Sequence, residues 1–195
     1  MRVVAGRWKG RTLRAPRGLD VRPTADKVRE AVFSILGELV AGARVLDLFS
    51  GTGAMAIEAL SRGAAGAVLV ESSRVAVAVL RENLASVGAS SAVCLPLDYR
   101  KALRRLAAAG DSFSLVFIDP PYGRGLIGEA AFRLDEAKVL APGAVVVMEM
   151  ESDCIDFGET PAGWAMESRR KYGGATIAFY RIGPEDVKRV TTEEN

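Results

Sequence analysis

The stretch Leu115-Val116-Phe117-Ile118-Asp119-Pro120-Pro121-Tyr122 decides how the rest of the chain is interpreted. Its four apolar residues predict a buried strand of a parallel sheet, and the two prolines force a stiff turn at the carboxyl end of that strand. Open α/β sheets bind their ligands at this edge. The alternative is an ordinary surface turn in which Asp119 only caps a neighbouring group.

The acid, the turn and the ring after this strand suit a flat substrate that carries an amino group. Asp119 and the carbonyl of Pro120 can each accept a hydrogen bond from such an amine, while Pro121 keeps the turn rigid. Tyr122 can stack on the face of the ring. These four residues are therefore the candidate catalytic group.

On both sides of this stretch, apolar runs alternate with helical patterns. Strands are predicted at residues 45–49, 67–71, 92–95, 114–118 and 144–149, with helices between them. This alternation predicts a doubly wound, mostly parallel sheet. Two more predicted strands, 164–171 and 175–181, are separated only by Gly173-Gly174, and so predict an antiparallel hairpin. The expected fold is a Rossmann-like α/β sheet of seven strands, which resembles the class I methyltransferases.

The chain of 195 residues is long enough for one domain with a small extension. Residues 1–22 predict a basic N-terminal β-hairpin, with strands at 2–5 and 8–14 around Gly6. Residues 23–183 form the predicted sheet domain, and the polar residues 184–195 predict a frayed tail. We expect a monomer.

The composition excludes several classes of protein. The chain has no histidine, which excludes Ser-His-Asp and Cys-His catalysis and the commonest zinc sites. Its two cysteines, Cys94 and Cys154, lack a CxxC spacing, and no apolar run has the length of a membrane span. We therefore expect a cytoplasmic protein without a metal site.

The positive charge is concentrated near the N-terminus. Residues 1–30 carry nine basic and three acidic side chains, whereas the rest of the chain carries 17 basic and 21 acidic ones. A basic arm on an acidic body is typical of proteins that bind a polyanion. The alternative is a solvated basic tail. Trp8 lies among these charges, and a tryptophan is more often a packing residue than a base-stacking one.

The loop Ser50-Gly51-Thr52-Gly53 follows the first strand and precedes a helix. Its glycines let a ligand approach the backbone, and Glu71, at the end of the second strand, can hold two ribose hydroxyls. Both features also fit NAD. Asp47 and Asp98 favour S-adenosylmethionine (SAM) instead. A charge at Asp47 disfavours a pyrophosphate but suits the amino or sulfonium group of SAM, and Asp98 can accept from the adenine amino group.

Four carboxylates at one edge, contributed by successive strands, are difficult to explain as solvated helix caps. The edge is therefore the predicted cofactor site. Its candidate contacts are Asp47, Phe49, Ser50, Gly51, Gly53, Glu71, Ser72, Asp98, Tyr99 and Asp119.

Two groups of motifs resemble known enzymes. Residues 45–53 and 119–122, with Glu71 and Asp98, resemble the ordered motifs of SAM-dependent amino-methyltransferases. The specific resemblance is to RsmD, the bacterial 16S ribosomal RNA guanine-N2 methyltransferases. It rests on Arg2-Val3-Val4-Ala5-Gly6, Trp8-Lys9-Gly10-Arg11 and the segment from Arg22-Pro23-Thr24 to Arg29-Glu30, and it extends to about Arg181. Ser50 and Thr52 depart from the expected Ala and Ser.

The resemblance implies transfer of a methyl group from SAM to the exocyclic N2 amine of one guanine in 16S rRNA. It also implies that the substrate is the small ribosomal subunit or its assembly intermediate. The basic arm would then bind RNA phosphates. Its candidate contacts are Arg7, Lys9, Arg11, Arg22 and Arg29.

Other functions fit parts of the sequence. A protein-glutamine methyltransferase typically has Asn at the position of Asp119, and a DNA adenine methyltransferase usually carries a large recognition domain, for which we expect no room here. A nicotinamide oxidoreductase explains Gly51, Gly53 and Glu71 but not Asp47 or the basic arm. A non-catalytic RNA-binding module explains the arm but not the acids.

Overall fold

The computed structural model describes residues 1–15, 23–121, 126–151 and 159–183. Helices and strands alternate through most of this range. Their bounds are α1 (Pro23–Leu36), β1 (Arg44–Asp47), α2 (Ala54–Ser61), β2 (Gly66–Val70), α3 (Arg74–Val87), β3 (Ala92–Leu95), α4 (Tyr99–Ala108), β4 (Phe113–Ile118), α5 (Leu126–Glu136), β5 (Leu140–Glu151), β6 (Trp164–Tyr172) and β7 (Ala175–Ile182). Of the helices in these ranges, none combines the length and apolar character needed to cross a membrane.

The strands form one sheet in the order β3-β2-β1-β4-β5-β7-β6. Strands β1 to β5 are parallel, whereas β7 runs antiparallel to β5, and β6 runs antiparallel to β7. A two-residue turn at Gly173-Gly174 leaves no room for a crossover helix, so β6 and β7 can only pair as a hairpin. The predicted seven-stranded sheet with an antiparallel hairpin is confirmed.

Both faces of the sheet are covered, which explains the unbroken apolar run in β4. Leu115 and Phe117 point into one core, with α1, α2 and α3. Val116 and Ile118 point into a second core, with α4 and α5. Each side chain is at most 2% exposed, and burial of such a side chain contributes about 1.5–3 kcal/mol to the free energy of unfolding.

The N-terminal arm (residues 1–15) packs on the first of these cores. Val3 and Leu13 are buried there. The two halves of the arm lie antiparallel, as predicted, with the Val3 N–H donating to the Arg11 carbonyl (2.9 Å). Regular strands do not form: a 3-10 turn occupies Gly6–Trp8, and a single β-bridge joins Arg2 and Thr12 within the described part of the arm. Residues 16–22 and the predicted tail, 184–195, lie outside the described ranges.

Several element boundaries differ from the sequence-based prediction. β1 ends at Asp47, two residues earlier than predicted. Pro142 and Gly143, which precede the predicted strand 144–149, lie within β5. They are accommodated because the register with β4 shifts between Phe113 and Leu115, and Gly143 adopts a φ of 73° that favours glycine.

Candidate active site

The four predicted acids lie at the edge where the parallel strands end. Asp47 is the last residue of β1, Glu71 directly follows β2, and Asp119 directly follows β4. Asp98, beyond the end of β3, is the N-cap of α4. Because β3, β2, β1 and β4 are successive neighbours in the sheet, the four carboxylates form a row along one edge.

Asp47 is the most buried acid of this row, at 3% exposure. Burial raises the pKa of its carboxyl group to about 7, and the negative charge of Glu71 adds to this effect. Hydrogen bonds from the backbone N–H groups of Phe49 and Ala56 act in the opposite direction. A cation placed beside Asp47 would favour its ionised form, so the site is suited to a positively charged ligand.

Glycine is required at two positions of the loop after β1. Gly53 has a φ of 82°, and a Cβ at this position would lie 2.4 Å from the Leu80 Cδ1 atom. Gly51 has a φ of 52°, but a Cβ there would meet no atom within 4 Å. The loop is therefore closed on the side of α3 and open at Gly51, where a ligand can approach the backbone.

Glu71 holds this loop in place. Its Oε2 atom accepts from the Gly51 N–H (2.9 Å), and its Oε1 atom accepts from the Ser73 N–H (2.7 Å). Each carboxylate oxygen has a second lone pair, so Glu71 can still accept from two hydroxyl groups. Ser72, next to it, is exposed at the same edge.

Ser50 was predicted as a cofactor contact, and its hydroxyl is turned into the protein. The residue is 7% exposed, and its hydroxyl lies 3.0 Å from both the Asp47 and the Val70 carbonyl oxygens. Its N–H also donates to the Val70 carbonyl (2.9 Å). Ser50 thus ties the loop to β1 and β2.

The far end of the row is built around Asp98. Its carboxylate accepts from the Arg100 N–H (2.9 Å) and lies 3.4 Å from the Arg100 guanidinium. The same guanidinium makes two hydrogen bonds, each of 2.8 Å, to Glu129 at the start of α5. The Asp98 side chain remains 43% exposed, so it can still accept a hydrogen bond from a ligand.

Tyr99 was also predicted as a cofactor contact, and its side chain is buried as well. The residue is 4% exposed, and its ring packs on Phe49 with the centroids 5.0 Å apart. Burial and the nearby charge of Glu129 raise the pKa of its hydroxyl to about 12. Phe49 is only partly buried and can border a ligand, whereas Tyr99 supports Phe49 from below.

The turn after β4 places Asp119 at the carboxyl edge of the sheet. Asp119 and Pro121 are exposed and Pro120 is buried, while Tyr122 lies outside the described residues. Although Asp119 is exposed, the surrounding protein desolvates its carboxyl group and raises the pKa well above the usual value. The negative charges of Glu149 and then Asp47 raise it further. Asp47 and Glu149 belong to β1 and β5, the strands on either side of β4.

Glu149, on β5, was not identified as a site residue from the sequence. The sequence contained one signal for it: Glu149 is the charged last residue of the predicted apolar strand 144–149, much as Asp119 directly follows the predicted strand 114–118. The order of the strands in the sheet was needed to place these two acids side by side.

The arm presents three of the five predicted RNA contacts to solvent. Arg7, Lys9 and Arg11 are exposed. The Arg7 guanidinium lies 4.1 Å from the centre of the Trp8 ring, and Trp8 is partly buried against the first core. Arg22 lies outside the described residues.

Arg29 is the fifth, and the prediction that it contacts RNA is wrong. It is 3% exposed, because the arm covers it. Its guanidinium donates to the Arg2 carbonyl and to Asp26 (2.8 Å), and it lies 3.7 Å from Glu58 of α2. Arg29 therefore holds the arm against the sheet domain.

Two more polar residues that the sequence analysis missed hold the arm. Ser61 accepts from the Trp8 N–H (3.0 Å) and donates to the Ala5 carbonyl (2.6 Å). Asn83 accepts from the Arg14 N–H (2.8 Å) and donates to the carbonyls of Arg14 (3.0 Å) and Thr52 (2.9 Å). Through Asn83 the arm is hydrogen-bonded to the glycine loop.

Within the described ranges, the His, Cys, Asp and Glu residues form no group that could hold a metal ion.

Comparison with known proteins shows similarity over nearly the whole chain. A family model described as conserved hypothetical protein 95 matches residues 1–181. Ribosomal RNA small subunit methyltransferase D of Escherichia coli K12 is 36% identical over 181 residues, which are 93% of this chain and 89% of that protein. A candidate rRNA methyltransferase of Bacillus subtilis 168 is 34% identical over 182 residues, which are 93% of this chain and 98% of that protein.

A solved structure shows the same similarity in three dimensions. The structure of a candidate methyltransferase from Escherichia coli superposes with a TM-score of 0.82 at 35% identity. The superposition covers 94% of this chain and 98% of that one. The residues matched by the family model, 1–181, include the arm and nearly all of the antiparallel hairpin as well as the parallel part of the sheet.

Proposed function

The chain belongs to the RsmD family, conserved hypothetical protein 95, and from this premise we propose that it methylates 16S ribosomal RNA. The methyl group passes from SAM to the exocyclic N2 amine of one guanine in the small subunit or its assembly intermediate. The observation that carries the proposal is that Asp119 directly follows β4 while the buried Asp47 ends the neighbouring strand β1, so that an acceptor suited to an amine and one suited to a cation share one edge of the sheet.

The residues at the strand ends fit SAM. The Gly51 backbone is open to a ligand, and Glu71 has lone pairs left for the ribose hydroxyls. Asp98 can accept from the adenine amino group, with Phe49 beside the adenine ring. Asp47 would accept from the α-amino group, and in its ionised form it disfavours a pyrophosphate, which argues against a dinucleotide. When bound, SAM supplies a methyl group activated by a sulfonium charge.

The reaction requires orientation of the amine more than a strong base, because the lone pair on guanine N2 is delocalised into the ring. The Asp119 carboxylate and the Pro120 carbonyl accept the two N–H groups and direct the lone pair towards the methyl group. The Asp119 carboxylate also stabilises the positive charge that develops on nitrogen. Tyr122 stacks on the guanine, which must leave the RNA stack to reach the site.

The arm supplies the electrostatic attraction for RNA. Arg7, Lys9 and Arg11 are exposed on the arm, and Arg22, which is outside the described residues, is the fourth proposed contact. Their charges favour binding of phosphates wherever the RNA backbone crosses the arm. The protein acts as a cytoplasmic monomer on the ribosomal particle.

The experiment that tests the proposal measures transfer of labelled methyl from SAM to small subunits purified from cells that lack this gene. Naked rRNA and fully modified subunits are the comparison substrates. We expect label on N2 of a single guanine in the unmodified particle. SAM binding without transfer would move the substrate elsewhere, and failure to bind SAM would overturn the proposal.

Two variants separate the catalytic acid from the fold. Asp119→Ala should abolish transfer and leave SAM binding largely intact. Asp111→Ala removes an acid near the opposite end of β4, where it pairs with Arg44 (2.7 Å), and should leave both properties unchanged. Equal loss of transfer and SAM binding in Asp119→Ala would contradict the assigned role.

A further inference from the structure

Glu149 lies beside Asp119 at the edge of the sheet. β4 and β5 are parallel neighbours, and their last pair in register is Ile118 with Met148. The residue after Ile118 is Asp119, and the residue after Met148 is Glu149. Neighbouring strands lie about 4.8 Å apart. Their backbones are therefore adjacent at the point where the substrate binds.

The two acids also point to the same face of the sheet. Phe117 of β4 and Val147 of β5 lie in the same core, and side chains two residues apart along a strand share a face. Asp119 and Glu149 are two residues beyond this pair. Val45 of β1 lies in that core as well, and Asp47 is two residues beyond it on the same face. The three carboxylates therefore follow one another across the neighbouring strands β1, β4 and β5.

Glu149 is on the substrate side of this row. The residues assigned to SAM extend from β1 towards β2 and β3, whereas β5 lies on the other side of β4. The residue opposite Glu149 on β7 is Ile177, which is 1% exposed. The half-buried Glu149 carboxylate thus lies between the catalytic acid and an apolar strand, where a base held by Asp119 would extend.

The edge of guanine matches two adjacent acceptors. Its N2 amine is next to an N1–H group, so that two neighbouring positions donate hydrogen bonds, and enzymes that extract a base read this edge. Adenine has an amine next to N1, but its N1 carries a lone pair and accepts. We propose, on the basis of the proposed function, that Glu149 accepts the N1–H of the target guanine while Asp119 holds the N2 amine.

Glu149 thereby selects guanine. A base with a lone pair at N1 places it against the Glu149 carboxylate, so binding costs a lost hydrogen bond and a repulsion between two acceptors. Sites built to bind an N–H group reject analogues that lack it far more strongly than apolar pockets reject a missing methylene. The same N2 amine on a different ring is then a poor substrate.

The test uses 2-aminopurine, which keeps the amine at C2 but has an unprotonated N1. Small subunits are reconstituted with rRNA ligated from fragments, so that the target position carries guanine or 2-aminopurine. We expect the wild-type kcat/KM for guanine to exceed that for 2-aminopurine by about 100-fold or more. Equal rates on the two bases would overturn the inference without the need for any variant.

The variant Glu149→Gln isolates the contact. A glutamine can accept from guanine N1–H through its oxygen or donate to N1 of 2-aminopurine through its amide. The preference for guanine should therefore fall by about 10-fold or more. Loss of the guanine O6 in 2-aminopurine affects both enzymes equally and cancels in this comparison. An unchanged preference in Glu149→Gln would also overturn the inference.

Glu167→Gln is the matched control, because Glu167 is a half-exposed glutamate of β6 that pairs with Arg181 (2.8 Å) away from the row of acids. It should keep the wild-type preference. SAM binding and thermal unfolding of both variants verify that they fold. Absence of N2 methylation of guanine by the wild type would refute the proposed function, whereas methylation with an unchanged preference in Glu149→Gln would refute only the role of Glu149.

Discussion

Replacement of Glu58 by glutamine should destabilise the protein and release the N-terminal arm. Glu58 is fully buried in α2. Its two oxygens accept from the Val4 N–H (2.7 Å) and the Ala5 N–H (2.9 Å), so it bonds directly to the backbone of the arm. It also pairs with Arg62 (2.8 Å) and lies 3.7 Å from the buried Arg29 guanidinium.

The magnitude follows from the charges that the substitution leaves behind. The glutamine side chain keeps one oxygen that can accept a hydrogen bond, but its NH₂ group faces the second of the two backbone N–H donors, Val4 and Ala5. Arg29 then keeps only Asp26 as an acidic partner in the buried network (2.8 Å). Breaking a buried ion pair costs about 3–5 kcal/mol, and we expect about 3 kcal/mol because one hydrogen bond survives. For a chain of this size that lowers Tm by about 6–12 °C.

The assay is thermal and denaturant unfolding, combined with hydrogen exchange at the arm. The Val4 and Ala5 amide protons should exchange faster in Glu58→Gln, because Glu58 is their acceptor. The control Asp111→Ala breaks the exposed pair with Arg44 and should cost about 0–1 kcal/mol. A loss below 1 kcal/mol in Glu58→Gln, or unchanged exchange at the two amides, would refute the anchoring role.

Three further predictions follow from the site. Gly53→Ala should lower the free energy of unfolding by about 1–3 kcal/mol and weaken SAM binding, because the added Cβ would clash with Leu80. The control Gly110→Ala also places alanine at a positive φ but causes no clash, so it should cost less; denaturant unfolding measures the stability of both variants, and calorimetric titration measures their affinity for SAM. Burial raises the pKa of Asp47 to about 7, so the contribution of the Asp47 carboxyl group to stability is present near pH 4 and is lost as pH rises through 7. The affinity for SAM should rise over the same pH range, and Asp47→Asn should flatten the pH dependence of both stability and affinity. Replacement of all three exposed arm cations by alanine should lower RNA affinity and reduce the slope of log K against log salt by about 2–3, and an unchanged slope would show that the arm does not bind phosphates. These cations are Arg7, Lys9 and Arg11.

The fold and the row of acids could be predicted from local patterns. An unbroken apolar run such as 115–118, ended by two prolines, is typical of a strand that is buried on both faces, and in a parallel sheet the residue after each strand lies at the same edge. That reasoning places Glu71 and Asp119 together, whereas Asp47 lay inside the predicted strand 45–49 and reaches the edge because β1 ends there. It also identifies the glycine loop, because a positive φ and a close approach are properties of a short segment.

The remaining features depended on contacts between distant parts of the chain. Arg7 and Arg29 occupy the same basic N-terminal stretch, yet one is exposed and the other buried, because Glu58 and the arm backbone enclose Arg29. By sequence, Ser50 lies in the glycine loop and could face a ligand. In the structure its hydroxyl is hydrogen-bonded to the Val70 carbonyl, 20 residues away.

Glu149 shows the same limit most clearly. The sequence determined that a strand ends near Glu149, and also that another strand ends at Asp119. Only the tertiary structure decided that these strands are neighbours, because the order of strands in a sheet depends on how helices cover its two faces and not on the local pattern of either strand.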